Sequence, residues 1–173
     1  TRSDGAESLR LTYHSPDGEE GYPGNVDIAI TYTLTAQNEL IIESEATSDC
    51  ETPLSLTNHS YFNLGGEDSG TVEDHQIRIL AEAYVPPADE KMTLSGKRQL
   101  VAGTPSDLRE PQSMGEVIAK IYLTHGDNYH LRSGAVAEPA LAARVVELKS
   151  GRVMEVSTTD TNLQFYTGTA LDG

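Results

Sequence analysis

Cysteine occurs once in this chain, at Cys50, and basic side chains number only 12 against 27 acidic ones. A single cysteine excludes an internal disulfide framework and any zinc site built on thiolates. It fits a reducing compartment, and residue type alone reads Cys50 as a small buried hydrophobe. The formal charge of −15 repels phosphate backbones and anionic lipid surfaces, so neither nucleic acid nor a membrane is an expected partner. An anionic substrate would need a local basic patch, and the sequence offers none. No stretch reads as a signal peptide or a membrane span. The chain opens on the polar run "TRSDGAES", which is compatible with a preceding segment. The expected location is cytoplasmic, with export left open.

Helical periodicity is also scarce. What the 173 residues do contain is a series of short alternating runs, in a length that suits one domain spanning residues 1–173. "SLRLTYHS" puts Leu9, Leu11 and Tyr13 on one face, and "NVDIAITYTLTA" does the same for Val26, Ile28, Ile30, Tyr32 and Leu34. "ELIIESEAT" follows the polar turn "QN", and "HQIRILAEAYVP" reads as a further strand. "ARVVELKS" and "GRVMEVSTT" face each other across Ser150-Gly151, which makes Arg144–Leu148 a strand despite the alanines before it. Period-two runs bounded by Gly, Asn, Asp and Pro predict antiparallel strands. Ser113 and Glu116 match a capping box and predict a short helix through about Lys120. The fold class is therefore all-β, sandwich-like, with one or two helical turns.

Four stretches concentrate chemistry. "LTNHSYFNL" surrounds His59 with Asn58, Ser60, Tyr61 and Asn63. A histidine transfers protons at neutral pH, and its neighbours could orient it or bind hydroxyl groups. The bland reading is a buried histidine satisfied by those neighbours. Asn58-His59-Ser60 also matches the glycosylation triplet, a motif short enough to arise by chance. "THGDNYHLR" offers His125, Asp127 and His130 as metal ligands, at a spacing that fits no strong template. A hydrogen-bonding Asp127, or an ordinary turn, competes with that. "SPDGEEGYPGNV" is a structured loop whose acids lack calcium-loop spacing. In "LQFYTGTALDG", Gln164 is an amide that could hold a sugar hydroxyl, or an ordinary outward strand residue.

In this order, "SPDGEEGYPGNV", "TPLSLTNHSYFNLGG", "VAGTPSDLREP" and "SGRVMEVSTTDTNLQFYTG" resemble the aldose 1-epimerase (galactose mutarotase) family. The resemblance runs from near residue 15 to the end. It implies an antiparallel β-supersandwich and a reaction that interconverts the α and β anomers of a free aldose without a cofactor. By the same resemblance His59 is the acid that protonates the ring oxygen. Ser60 and Tyr61 line the sugar pocket, and Asp127 and Gln164 bind sugar hydroxyls. Two alternatives stay beside this one: a non-catalytic carbohydrate-binding β-sandwich module, and an epimerase of phosphorylated hexoses, which the lack of a basic cluster disfavours.

The sequence also departs from the family pattern. An N-terminal segment that brings an asparagine–arginine pair and a second histidine is missing. So is the segment beyond the "FYTG" strand that carries the base glutamate, so the base is not assigned to any residue here. Asn128 follows Asp127 where the family has histidine, and His130 comes later. A fragment of a full mutarotase is the expectation.

Overall fold

The computed structural model describes residues 6–86, 95–121 and 127–168. The chain divides into two compact units, Thr1–His59 and Ser60–Gly173.

The first unit is a three-stranded antiparallel sheet of β1 (Glu7–Ser15), β2 (Val26–Leu34) and β3 (Leu40–Ser48), in that order. Leu9 pairs with Tyr32, Leu11 with Ile30 and Tyr13 with Ile28, and Tyr32 pairs in turn with Ile42. Directly opposed residues share a face. The alternating apolar set therefore lies on one side, as the periodicity predicts. The β1–β2 loop includes a short 3₁₀ turn, Glu19–Gly21, and consumes its own acids. Asp17 Oδ1 accepts the Gly24 N–H at 2.7 Å, and Glu19 accepts the Tyr13 and Ser15 hydroxyls at 2.6 and 2.5 Å. Cys50 corrects an expectation. It is exposed rather than buried, because it sits in the bend after β3 instead of on the apolar face.

The second unit holds β4 (His75–Ile79), β5 (Ala81–Val85), β6 (Gln99–Leu100), β7 (Gln112–Ser113), α1 (Met114–Ile121), β8 (Asp127–Leu131), β9 (Ala140–Glu147), β10 (Val153–Thr158) and β11 (Asn162–Phe165). Two four-stranded antiparallel sheets result, ordered β10-β9-β4-β7 and β11-β8-β5-β6. Here "HQIRILAEAYVP" departs from the single strand expected of it. It is two strands in two sheets, divided at Leu80. That residue donates its N–H to Ala142 O at 2.8 Å and accepts the Arg132 N–H at 3.0 Å. One partner lies on β9 and the other directly follows β8, strands of the two different sheets, which carries the chain from one to the other. Ile77, Ile79, Val101, Leu108, Val117 and Tyr129 are buried at the centre of the core.

Helix α1 buries Met114, Val117 and Ile121, an i, i+3, i+7 stripe. Ser113 stands before it as predicted, although its hydroxyl donates to the Glu73 carbonyl at 3.2 Å. The β9–β10 hairpin also forms, from an earlier start at Ala140 and with Leu148 in the turn. Gly151 takes φ +73° there, a left-handed conformation glycine adopts without a Cβ clash. The Glu147 carboxylate accepts the N–H groups of Lys149 and Ser150 at 2.9 and 2.6 Å.

Candidate functional site

The His59 stretch has no regular secondary structure, and His59, Ser60 and Tyr61 are all exposed. The bland alternative of a buried histidine therefore does not hold. His59 ends the first unit and Ser60 begins the second. Within the second unit the Tyr61 ring meets Tyr166 edge-on, with centroids 6.1 Å apart and planes at 77°. Such T-shaped pairs are favourable beyond the area they bury. They join the histidine motif to the residue that follows β11.

Beyond Tyr61 the backbone is clamped from several sides. Asn63 accepts the Gly65 N–H at 2.9 Å and donates to Gly70 O at 3.0 Å. The Leu64 N–H donates to Nε2 of His75 at 3.0 Å. Arg152 Nη1 donates to Leu64 O at 2.9 Å and to Gly65 O at 3.3 Å. His75 and Arg152 thus support the motif without belonging to it. Sequence reasoning passed over both, because a side chain that pairs with a distant backbone group leaves no periodic signal.

Asp127 begins β8 and faces inward with Tyr129 and Leu131. It is 2% exposed. Its Oδ2 accepts the Ser106 hydroxyl at 2.5 Å, while the Tyr129 hydroxyl donates to the Ser106 carbonyl at 3.0 Å. Burial pushes the Asp127 carboxyl above its ordinary range, and the Ser106 hydrogen bond opposes that shift. Burial, and then the Asp127 charge, push the Tyr129 phenol up as well.

Gln164 lies on the other side. It pairs with Asn128, so it shares the face opposite to Asp127. The two predicted sugar ligands are therefore not brought together on one face of the β8–β11 pair. Gln164 is exposed, and its Oε1 accepts Asn128 Nδ2 at 3.2 Å. Asn128 Oδ1 accepts Asn162 Nδ2 at 2.5 Å. His130 approaches Asn162 Oδ1 with Nδ1 at 3.4 Å. Asp127 and His130 consequently point to opposite faces and do not converge on one ion, while His125 lies outside the described residues. Among the described residues no group of three or more His, Cys, Asp or Glu side chains is placed to hold a metal. No helix among them is long and apolar enough to cross a membrane.

An open polar cleft of the first unit is lined by His14, Asn25, Asp27 and Asp49. Its groups bond to one another: His14 Nδ1 meets Asp27 at 2.7 Å, and Asn25 donates to both oxygens of Asp49. It ties the loop to β3 and holds none of the motif residues.

Antiparallel β sheets, one α-helix among the described residues and an exposed Asn-His-Ser-Tyr-Phe-Asn run define a galactose mutarotase-like β protein. The aldose 1-epimerase family model matches residues 1–173, and the chain belongs to that family. It is 43% identical to the galactose mutarotase of Homo sapiens over 171 residues, 99% of this chain and 48% of that protein. It is 35% identical to the aldose 1-epimerase of Escherichia coli over 167 residues, 92% of this chain and 46% of the relative. A solved GalM/aldose epimerase homologue from C. elegans superposes with a TM-score of 0.84 at 29% identity, over 96% of this chain and 50% of that one. The chain spans about half the length of the curated relatives it matches.

Proposed function

We propose that the protein is an aldose 1-epimerase, interconverting the α and β anomers of a free hexose such as galactose or glucose. The observation that carries this reading is the family match across residues 1–173, with the His59 motif present and exposed. In the reaction a base removes the proton of the anomeric hydroxyl and His59 protonates the ring oxygen. The bond from the anomeric carbon to that oxygen breaks, and an open-chain aldehyde forms. Rotation about the adjacent carbon–carbon bond and reclosure give the other anomer. The step is redox-neutral and needs no electron sink, so no cofactor is invoked. No residue here is assigned as the base. Ser60, Tyr61, Asp127 and Gln164 would bind the sugar. Asp127 and Gln164 leave β8 and β11 on opposite faces, so each must be tested separately. The exposed thiol of Cys50 accords with a reducing, cytoplasmic setting.

The test is polarimetry of freshly dissolved α-D-galactose and α-D-glucose against a buffer blank. In a protein that also carries the base segment catalysed mutarotation is expected, and His59→Gln there should lower it by about 10²–10⁴-fold, the usual contribution of a positioned acid. Asp127→Ala and Gln164→Ala should weaken sugar affinity. Galactose binding without acceleration, unaffected by His59→Gln, would favour a carbohydrate-binding module instead.

A further inference from the structure

The outer face of the β8–β11 pair carries a chain of side-chain amides that all run in one direction. Thr161 Oγ1 donates to Asn162 Oδ1 at 2.8 Å. Asn162 Nδ2 donates to Asn128 Oδ1 at 2.5 Å, and Asn128 Nδ2 donates to Gln164 Oε1 at 3.2 Å. An amide has one accepting oxygen and one NH₂ with two donors. Each link therefore sets the next. Asn162 uses its oxygen on Thr161 and His130, so it offers nitrogen to Asn128. Asn128 has its oxygen taken and offers nitrogen to Gln164. At the exposed end Gln164 turns its oxygen towards Asn128, and both N–H donors of its NH₂ face away from Asn128, open to a ligand. The register explains why these residues meet: Asn128 is paired with Gln164, and Asn162 with His130 next along the strand.

We propose that Asn128 is a positioning residue of the sugar site, orienting the Gln164 amide so that it donates to a hydroxyl or ring oxygen of the sugar. The proposal rests on the assignment of Gln164 to that site. It gives Gln164 one definite role. A free glutamine offers either end of its amide and loses side-chain freedom on binding, whereas one already held presents its donors at a smaller entropic penalty. Asn128 itself need not touch the sugar.

The substitution that tests this is Asn128→Asp, nearly the same in shape. A carboxylate cannot donate, so Gln164 must turn to offer its NH₂ to Asp, leaving Oε1 facing the ligand. Isotope-labelled protein is titrated with D-galactose while the Gln164 side-chain amide signals are followed by NMR. In the wild type these signals should shift as galactose is added. Asn128→Asp should weaken galactose binding about tenfold and abolish that shift, with the rest of the spectrum unchanged. Asn128→Ala, which frees Gln164 without reversing it, should give a smaller loss. Gln164→Glu, which still accepts from Asn128 but brings no donor, should bind as poorly as Gln164→Ala. If Asn128→Asp binds galactose like the wild type while Gln164→Ala does not, the positioning role falls and the sugar site stands. If Gln164→Ala binds normally, or the wild type shows no galactose-dependent shift, Gln164 is outside the site and both readings fall.

Discussion

Nε2 of His75 accepts the backbone N–H of Leu64 at 3.0 Å, which fixes the ring's chemistry. A peptide N–H can only donate, so Nε2 must be unprotonated, and the ring's proton sits on Nδ1. That Nδ1 is buried with no hydrogen-bond partner among the described residues. The ring is thus committed to one neutral tautomer by a loop 11 residues upstream, the loop that continues the His59 motif.

Removing this acceptor should loosen the motif. His75→Ala leaves the Leu64 N–H unpaired and is expected to cost about 1–3 kcal/mol, the usual penalty for a stranded partly buried donor. Arg152→Ala, which acts from the surface on Leu64 O and Gly65 O, should cost less, about 1 kcal/mol. Because both side chains grip the same residue, Leu64, their effects should not add, and the coupling should be about 0.5 kcal/mol or more. Urea unfolding of the double-mutant cycle measures this, and amide exchange at Leu64 should speed up in both single variants. Simple additivity with unchanged exchange would mean the two contacts are independent of the loop.

Ser106→Ala makes a different demand, because its partner is a buried carboxyl. Asp127 is raised by burial, so the folded state favours its protonated form, and its charge weighs against folding as pH rises above the ordinary carboxylate range. The Ser106 hydroxyl counters that effect. Deleting it should destabilise by about 1–3 kcal/mol near pH 7, where Asp127 is charged, and by less near pH 3, where it is not. Ser106→Thr retains the hydroxyl and should restore most of the loss. Denaturant unfolding at both pH values decides the matter, and an equal loss at each would show that the Ser106 bond does not depend on the Asp127 charge.

Much of the first unit could be read from alternation alone. Leu9, Leu11 and Tyr13 face the same side as Tyr32, Ile30 and Ile28 because a strand has period two, and nothing in the tertiary structure overrides that. The break at Leu80 could not be read. The pattern His75, Ile77, Ile79, Ala81 continues through it, and the change of sheet is dictated by hydrogen bonds to Ala142 and Arg132, both far along the chain. The same limit hid the loop's supports. Arg152 reaches a carbonyl 88 residues away, and neither partner carries a mark in the sequence. The roles of His59, Ser60, Tyr61, Asp127 and Gln164 came from family resemblance, which names residue types but not the face of a strand that Asp127 or Gln164 occupies. The separation of Asp127 from Gln164 is set by the β8–β11 register.

Glu147 links stability to pH in the direction opposite to Asp127. Ser150 contributes most, followed by the backbone N–H groups of Lys149 and Ser150, and together they hold the carboxyl down to about 2. A carboxyl depressed on folding contributes stability that is present above its unfolded pKa and lost as pH falls towards the folded value. The wild type should therefore lose thermal stability between about pH 5 and pH 2 in part through this turn. Glu147→Gln should be less stable than the wild type at pH 6, and the gap should close as pH falls to 2. Parallel thermal melts across that range test it, and a gap that stays constant would remove Glu147 from the acid response.

Gly24 is constrained twice, by conformation and by space. It takes φ +86°, where an L side chain is strained, and a Cβ there would come within 2.5 Å of Cys50 Sγ. Asp49 Oδ1 and Ser48 Oγ would each lie 3.1 Å away. Gly24→Ala should therefore cost about 1–3 kcal/mol from backbone strain alone, with the clash added. The two parts separate experimentally. Cys50→Ala removes the sulfur without altering φ, and as an exposed substitution it should change stability by no more than about 0.5 kcal/mol. In that background Gly24→Ala should be less damaging than in the wild type, by the steric part, yet still destabilising by the strain part. Chemical denaturation of the four proteins gives both numbers. Equal damage in the two backgrounds would mean the loop yields freely around Cys50, leaving the left-handed backbone as the whole reason for glycine at this position.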